Sequence, residues 1–207
     1  MATHPGATPT DPQAGSNVGL PVSDTIGGRC DFVLDYISGG PGGHTASARI
    51  AGGPVPPQRL SLGNEGDVSS EFQLTYGAAA PLGVDFSDQA GLEMLVVSWD
   101  QDAQFIVEVW DDQANYDPMV YNVAGGFNGL FYMPADDFEQ ITSPIIDKIQ
   151  STFGFASTTG PGDDQATYRP DFDMTLDSIQ STAIPEPCSL TLLGLGLVGV
   201  AIRRRRR

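Results

Sequence analysis

The stretch Leu95-Val96-Val97-Ser98-Trp99-Asp100-Gln101-Asp102-Ala103-Gln104-Phe105-Ile106-Val107-Glu108-Val109 decides the fold class. Leu95, Val96 and Val97 form a continuous apolar run that closes on Trp99. Phe105, Val107 and Val109 then recur at every second position, with Glu108 pointing the other way. Period two is the mark of a half-buried strand, because successive side chains leave opposite faces of the backbone. The turn-forming Asp100-Gln101-Asp102 between the two runs predicts a hairpin.

Working outward, the same alternation appears in Phe72, Leu74 and Tyr76, with Gln73 and Thr75 between them. Phe32, Val33, Leu34, Tyr36 and Ile37 form a short run that stops at Gly39-Gly40-Pro41-Gly42-Gly43, a turn signal. Met119, Tyr121 and Val123 supply the strand after Phe105. Met174, Leu176 and Ile179 supply the last one, after the polar loop at 158–164. Phe138, Ile141, Ile145 and Ile149 have helical spacing, but Pro144 interrupts any helix there, so a short helix or loop is expected to lead into a strand around 149–155. With 25 glycines, 16 prolines and only 17% charged residues, the chain suits many short segments joined by turns.

About eight strands with no repeat of fixed period predict an all-β protein, a β-sandwich (jelly-roll-like) followed by a C-terminal single hydrophobic helix. The expected layout is a disordered lead at 1–24, a β-sandwich domain at 25–180 and a tail at 181–207. The lead carries Pro5, Pro9, Pro12 and Pro21 and no apolar run that could bury itself.

The chain has 26 acidic and 10 basic residues, a net charge of -16, yet five of the basic residues are Arg203, Arg204, Arg205, Arg206 and Arg207. Without them five cations face 26 acids, a balance of -21. Such a body repels phosphate backbones, which excludes nucleic acid as a partner. Two cysteines, Cys30 and Cys188, cannot form a stapling framework, so the fold stands on its core.

The tail has three chemically distinct parts. Ile184-Pro185-Glu186-Pro187 comes first, an uncharged stretch at 188–202 second, and the arginine cluster at 203–207 last. The 15 residues of the middle part fall short of the roughly 17–25 of a relaxed membrane span, which bilayer thinning and snorkelling arginines can offset. Lys and Arg beside a span mark its cytoplasmic side, so the acidic body is expected outside. Pro185 and Pro187 lack the amide hydrogen a helix needs, and Glu186 resists entering hydrocarbon.

These three parts in this order closely resemble the PEP-CTERM sorting signal. The resemblance implies recognition of Pro185, Glu186 and Pro187 by an exosortase-like membrane peptidase, with Arg203 to Arg207 as the membrane stop. It also implies an exported protein, held transiently at the inner membrane and then at the cell envelope surface or outside the cell. Members of that family carry an N-terminal export signal, whereas no basic region followed by an apolar one lies between Met1 and Leu20. The expected function is that of a non-catalytic surface or extracellular-matrix protein. The alternatives are a carbohydrate-binding module of the envelope or exopolysaccharide, and a glycan-acting enzyme.

Candidate chemistry in the body is sparse. His4 lies in the lead and His44 in a Gly-rich loop, which leaves no Ser-His-Asp or Cys-His arrangement and no zinc-ligand spacing. No catalytic residue or cofactor is assigned. A glycosidase needs two nearby carboxylates, for which Glu71, Glu93, Glu108 and Asp100 are the candidates. Asp111-Asp112, Asp136-Asp137 and Asp163-Asp164 sit in expected loops that could hold structural calcium, although solvated acidic loops are the plainer reading. Trp99, Trp110, Tyr116, Tyr121 and Tyr132 could form an aromatic platform for sugars, with Trp99 and Trp110 more ordinary as core.

Overall fold

Alternating buried positions carry the expected strands into two antiparallel sheets. The computed structural model describes residues 2–5, 13–18, 29–38, 45–51 and 59–183. The strands are β1 (Ala2–Pro5), β2 (Gln13–Val18), β3 (Arg29–Ser38), β4 (Thr45–Ala51), β5 (Arg59–Asn64), β6 (Ser69–Tyr76) and β7 (Val84–Asp85). They continue as β8 (Gln89–Trp99), β9 (Ala103–Asp111), β10 (Tyr116–Val123), β11 (Gly129–Pro134), β12 (Ile145–Ser157), β13 (Thr167–Tyr168) and β14 (Met174–Ala183). A six-stranded sheet runs β1-β4-β5-β14-β8-β11. The eight-stranded sheet runs β10-β9-β12-β6-β3-β2, with the short β7 and β13 also paired to β12.

The inner faces of the two sheets make the core. Phe153 on β12 lies directly opposite Phe72 on β6 and Phe105 on β9, with ring centroids 6.3 and 5.5 Å away. From the other sheet Trp99 meets Phe105, Phe153 and Phe172 edge-on at 6.0, 6.3 and 4.9 Å. Edge-to-face aromatic pairs contribute beyond their buried area, so this cluster ties the sheets together at the point where the chain passes from one to the other.

The structure departs from the expectations in several places. The run ending at Trp99 and the run beginning at Ala103 do not form a hairpin: β8 pairs with β14 and β11, and β9 with β10 and β12. Asp100-Gln101-Asp102 is a crossing between sheets. A short polar link serves either connection, and alternation along each strand is the same in both. The hairpin in this region is β9–β10, paired from Tyr116↔Trp110 to Val123↔Ala103. Segments Ala2–Pro5 and Gln13–Val18 of the expected disordered lead pair with β4 and β3 at the sheet margins. A marginal strand needs partners on one side only, which is also where proline is tolerated. The rest of that lead lies outside the described residues. Where a short helix or loop was expected at 136–149, there is a 3-10 turn, Ala135–Asp137, and then β12, which starts at Ile145 immediately after Pro144. The last strand runs to Ala183, past the expected domain limit at 180.

Among the described residues no helix is long and apolar enough to cross a membrane. The expected hydrophobic helix at 188–202 lies outside them, together with Pro185, Glu186, Pro187 and Arg203 to Arg207.

Candidate functional site

On the outer face of the eight-stranded sheet, directly paired residues form rows across the strands, because cross-strand partners share a face. One row is Tyr116, Trp110 and Lys148. The next is Pro118, Glu108, Gln150 and Thr75. Trp110 stands between its neighbours, with the Lys148 ammonium 3.7 Å from its ring centroid and the Tyr116 ring at 4.9 Å. Glu108, expected to face solvent, is only 6% exposed. Its two oxygens accept from Tyr116 Oη at 2.8 Å and Gln150 Nε2 at 2.7 Å. Burial pushes the Tyr116 phenol well above its ordinary range, and the bond to anionic Glu108 adds to the shift. Burial lowers Lys148, and the charge on Glu108 opposes that.

Further along this face Glu71 accepts from Gln73 Nε2 at 2.7 Å and Tyr168 Oη at 2.9 Å. Tyr168 packs on Phe155 at 5.2 Å. Phe155 reaches this face through a bulge at Gly154, whose φ of 108° breaks the alternation after the core residue Phe153. A Cβ at Gly154 would collide with the Ser70 carbonyl, so the position takes only glycine. Sequence reading missed Lys148, Gln150, Tyr168 and Gln73. Their one signal was a polar or aromatic residue at an outward position of an alternating run.

The four candidate carboxylates do not converge. Glu71 and Glu108 share a face, but two strand spacings and four residues of rise put their backbones roughly 16 Å apart, and each is held by its own neighbours, Glu71 by Gln73 and Tyr168 and Glu108 by Tyr116 and Gln150. Glu93 lies on the other sheet, where Gln180 Nε2 donates to it at 3.4 Å. Asp100 accepts from the Asp173 amide at 2.9 Å within the sheet crossing. Burial raises Asp173, as do the charges of Asp100 and Asp171, while the Asn64 amide opposes the shift.

In two of the three acidic loops one carboxylate organises the turn. Asp111 accepts from the amides of Gln113, Asn115, Thr142 and Ser143 at 3.0, 2.8, 3.2 and 3.0 Å and from Asn115 Nδ2 at 2.7 Å. Asp163 accepts from the Thr159 amide and hydroxyl and from the Gln165 amide. Asp137 accepts from Tyr121 Oη at 2.9 Å. Among the described residues no three His, Cys, Asp or Glu side chains are grouped to hold a metal ion. His44 and the side chain of His4 lie outside the described residues.

The five aromatic candidates separate by environment. Trp99 is core, 1% exposed. Tyr121 is half-buried and stacked on Phe105 at 5.3 Å. Trp110 and Tyr116 are engaged with each other and with Lys148. Tyr132 is 44% exposed on the outer face of the six-stranded sheet, and its hydroxyl donates to the Ala90 carbonyl at 2.7 Å. Its neighbour on β11, Leu130, is 53% exposed and was not singled out from sequence.

The end of β14 and the residues beyond it settle one question. Residues 183–206 match the PEP-CTERM protein-sorting motif. The sorting motif thus begins at Ala183, the last residue of the last strand, and includes Pro185, Glu186, Pro187 and the first four arginines of the cluster. A comparison with curated protein sequences finds no match. Among solved structures, the chain is similar to the family 11 carbohydrate-binding module of cellulosomal cellulase Lic26A-Cel5E of Clostridium thermocellum, with 14% identity and TM-score 0.46 over 82% of this chain and 98% of that one. It is also similar to an exo-beta-agarase, with 14% identity and TM-score 0.44 over 74% of this chain and 23% of that one. A third likeness, to TmCBM61 in complex with beta-1,4-galactotriose, has 10% identity and TM-score 0.37, over 72% of this chain and 88% of that one.

Proposed function

We propose that this chain is a non-catalytic, exported β-sandwich protein, jelly-roll-like in its connections. Its sorting motif would carry it to the inner membrane and then to the cell envelope surface or the extracellular matrix. The observation that carries this reading is the PEP-CTERM motif at 183–206, which starts where the sandwich ends. In this reading the apolar residues 188–202 hold the chain in the bilayer, and Arg203 to Arg207 stay on the cytoplasmic side. Pro185 and Pro187 keep the peptide out of a helix at the membrane surface, where an exosortase-like peptidase cleaves it.

The test is intact-mass measurement on the chain recovered from the envelope and medium of a host that makes an exosortase. The expected species lacks the residues after the Pro185-Glu186-Pro187 region. A full-length cytoplasmic species with Arg207 intact would overturn the proposal.

A second reading, a carbohydrate-binding module of the envelope or exopolysaccharide, is favoured by one observation: Tyr132 presents an exposed ring on a sheet face.

A further inference from the structure

We propose that the outer face of the six-stranded sheet around Tyr132 binds an uncharged polysaccharide strand; this rests on the carbohydrate-binding reading and names its site. Among the described residues the exposed large apolar side chains are Leu130 and Tyr132, and both stand on β11. The registers place them in two parallel rows across three strands. One row is Gln180, Glu93 and Tyr132, and the other is Ser178, Leu95 and Leu130. Each row spans two strand spacings, about 10 Å, and the rows lie about 7 Å apart.

The chemistry of this grid suits a sugar chain. A pyranose has an apolar C–H face that stacks on an aromatic ring and a rim of hydroxyls that needs hydrogen-bonding partners. Tyr132 offers the ring. The bond from its hydroxyl to the Ala90 carbonyl fixes the ring's position, so little side-chain freedom is left to lose on binding. The exposed Gln180 amide and the Glu93 carboxylate lie along the same row, joined only by a long 3.4 Å bond that sugar hydroxyls can replace. Leu95 and Leu130 extend the apolar floor beside them.

Size and charge select the occupant. A stable protein interface covers roughly 800 Å² on each partner. Two exposed side chains of at most about 250 Å² each fall well short of that, which disfavours a second copy. The acidic body, with Glu93 inside the grid, repels a polyanionic polysaccharide, so the favoured ligand carries no charge. On the opposite sheet Trp110 already has an ammonium and a phenol against its ring, which makes it the natural control.

The experiment is affinity electrophoresis of the full chain in gels containing a soluble β-glucan, a xylan or a galactan, with alginate as the polyanion. The expected result is retardation by at least one uncharged polymer and none by alginate. Tyr132→Ala should weaken the interaction roughly tenfold or more, whereas Tyr132→Phe, which keeps the ring but loses the bond that fixes it, should weaken it by only a few fold. Gln180→Ala, a change at an exposed position that leaves the core intact, should also weaken it. Trp110→Ala should not. If a polymer retards the wild type but Tyr132→Ala and Gln180→Ala bind it equally well, the site is wrong and the carbohydrate-binding reading survives. If no uncharged polymer retards the wild type, both fail. Self-association lost in Tyr132→Ala would overturn the proposal by assigning the patch to a second copy.

Discussion

Single residues here carry costs that their neighbours offset. Trp99 joins the two sheets through three ring contacts, yet its indole nitrogen is buried without a hydrogen-bond partner. An unpaired buried N–H costs about 1–3 kcal/mol, and removing it should offset part of the packing lost on shortening the ring system. Trp99→Phe is therefore expected to cost no more than about 2 kcal/mol, against about 3–5 kcal/mol for Trp99→Ala. Denaturant unfolding followed by circular dichroism measures both, and equal losses would refute the offset. Cys30 shows the opposite economy. Burial, with the Asp31 charge adding to it, pushes its thiol up to about 12, so the folded protein keeps it protonated and unreactive at neutral pH.

At the scale of elements, the β9–β10 hairpin is organised by one carboxylate. Asp111 is 2% exposed; burial alone would raise its pKa, but donors from Asn115, Ser143 and Gln113 hold it well below the ordinary carboxylate range. These bonds tie the hairpin turn to the segment that enters β12. A depressed acid contributes stability that is fully present above its unfolded pKa of about 3.9 and is lost as pH falls toward its folded value. Asp111→Asn should melt several degrees below wild type at pH 7, and the gap should close as the pH drops below about 4. Melting curves from pH 7 down to pH 2.5 would show this, and a gap that stays constant would mean the charge is irrelevant. The pair Asp111-Asp112 was legible as a loop signal, but these donors were not. Thr142 and Ser143 lie some thirty residues away in sequence, and only the packing of β12 on β9 brings them near.

For the molecule as a whole, charge is the dominant long-range term. With a net charge of -21 outside its terminal arginine cluster, the chain destabilises its own compact state through self-repulsion, and surface ion pairs such as Arg59 with Asp177 at 3.3 Å offset little of it. Salt screens that repulsion, so the melting temperature at pH 7 should rise as NaCl goes from a few millimolar to about 0.15 M. A flat or falling trend in scanning calorimetry would show that local pairs outweigh the field. The all-β character, the excess of acid and the sorting motif were all legible in the sequence, because strand alternation, formal charge and a contiguous motif are local properties. Sheet membership was not: the residues from Leu95 to Val109 read correctly as two strands, yet nothing local distinguishes a hairpin from a crossing between sheets. Glu108 had the pattern of a solvent-facing residue and is buried, because Tyr116 and Gln150 come to it from neighbouring strands. Tyr132 and Trp110 were both platform candidates in sequence, Trp110 the more ordinary as core, and became a presented ring and an engaged one. Side-chain exposure depends on which strands lie alongside, and that is set by contacts between residues far apart in the chain.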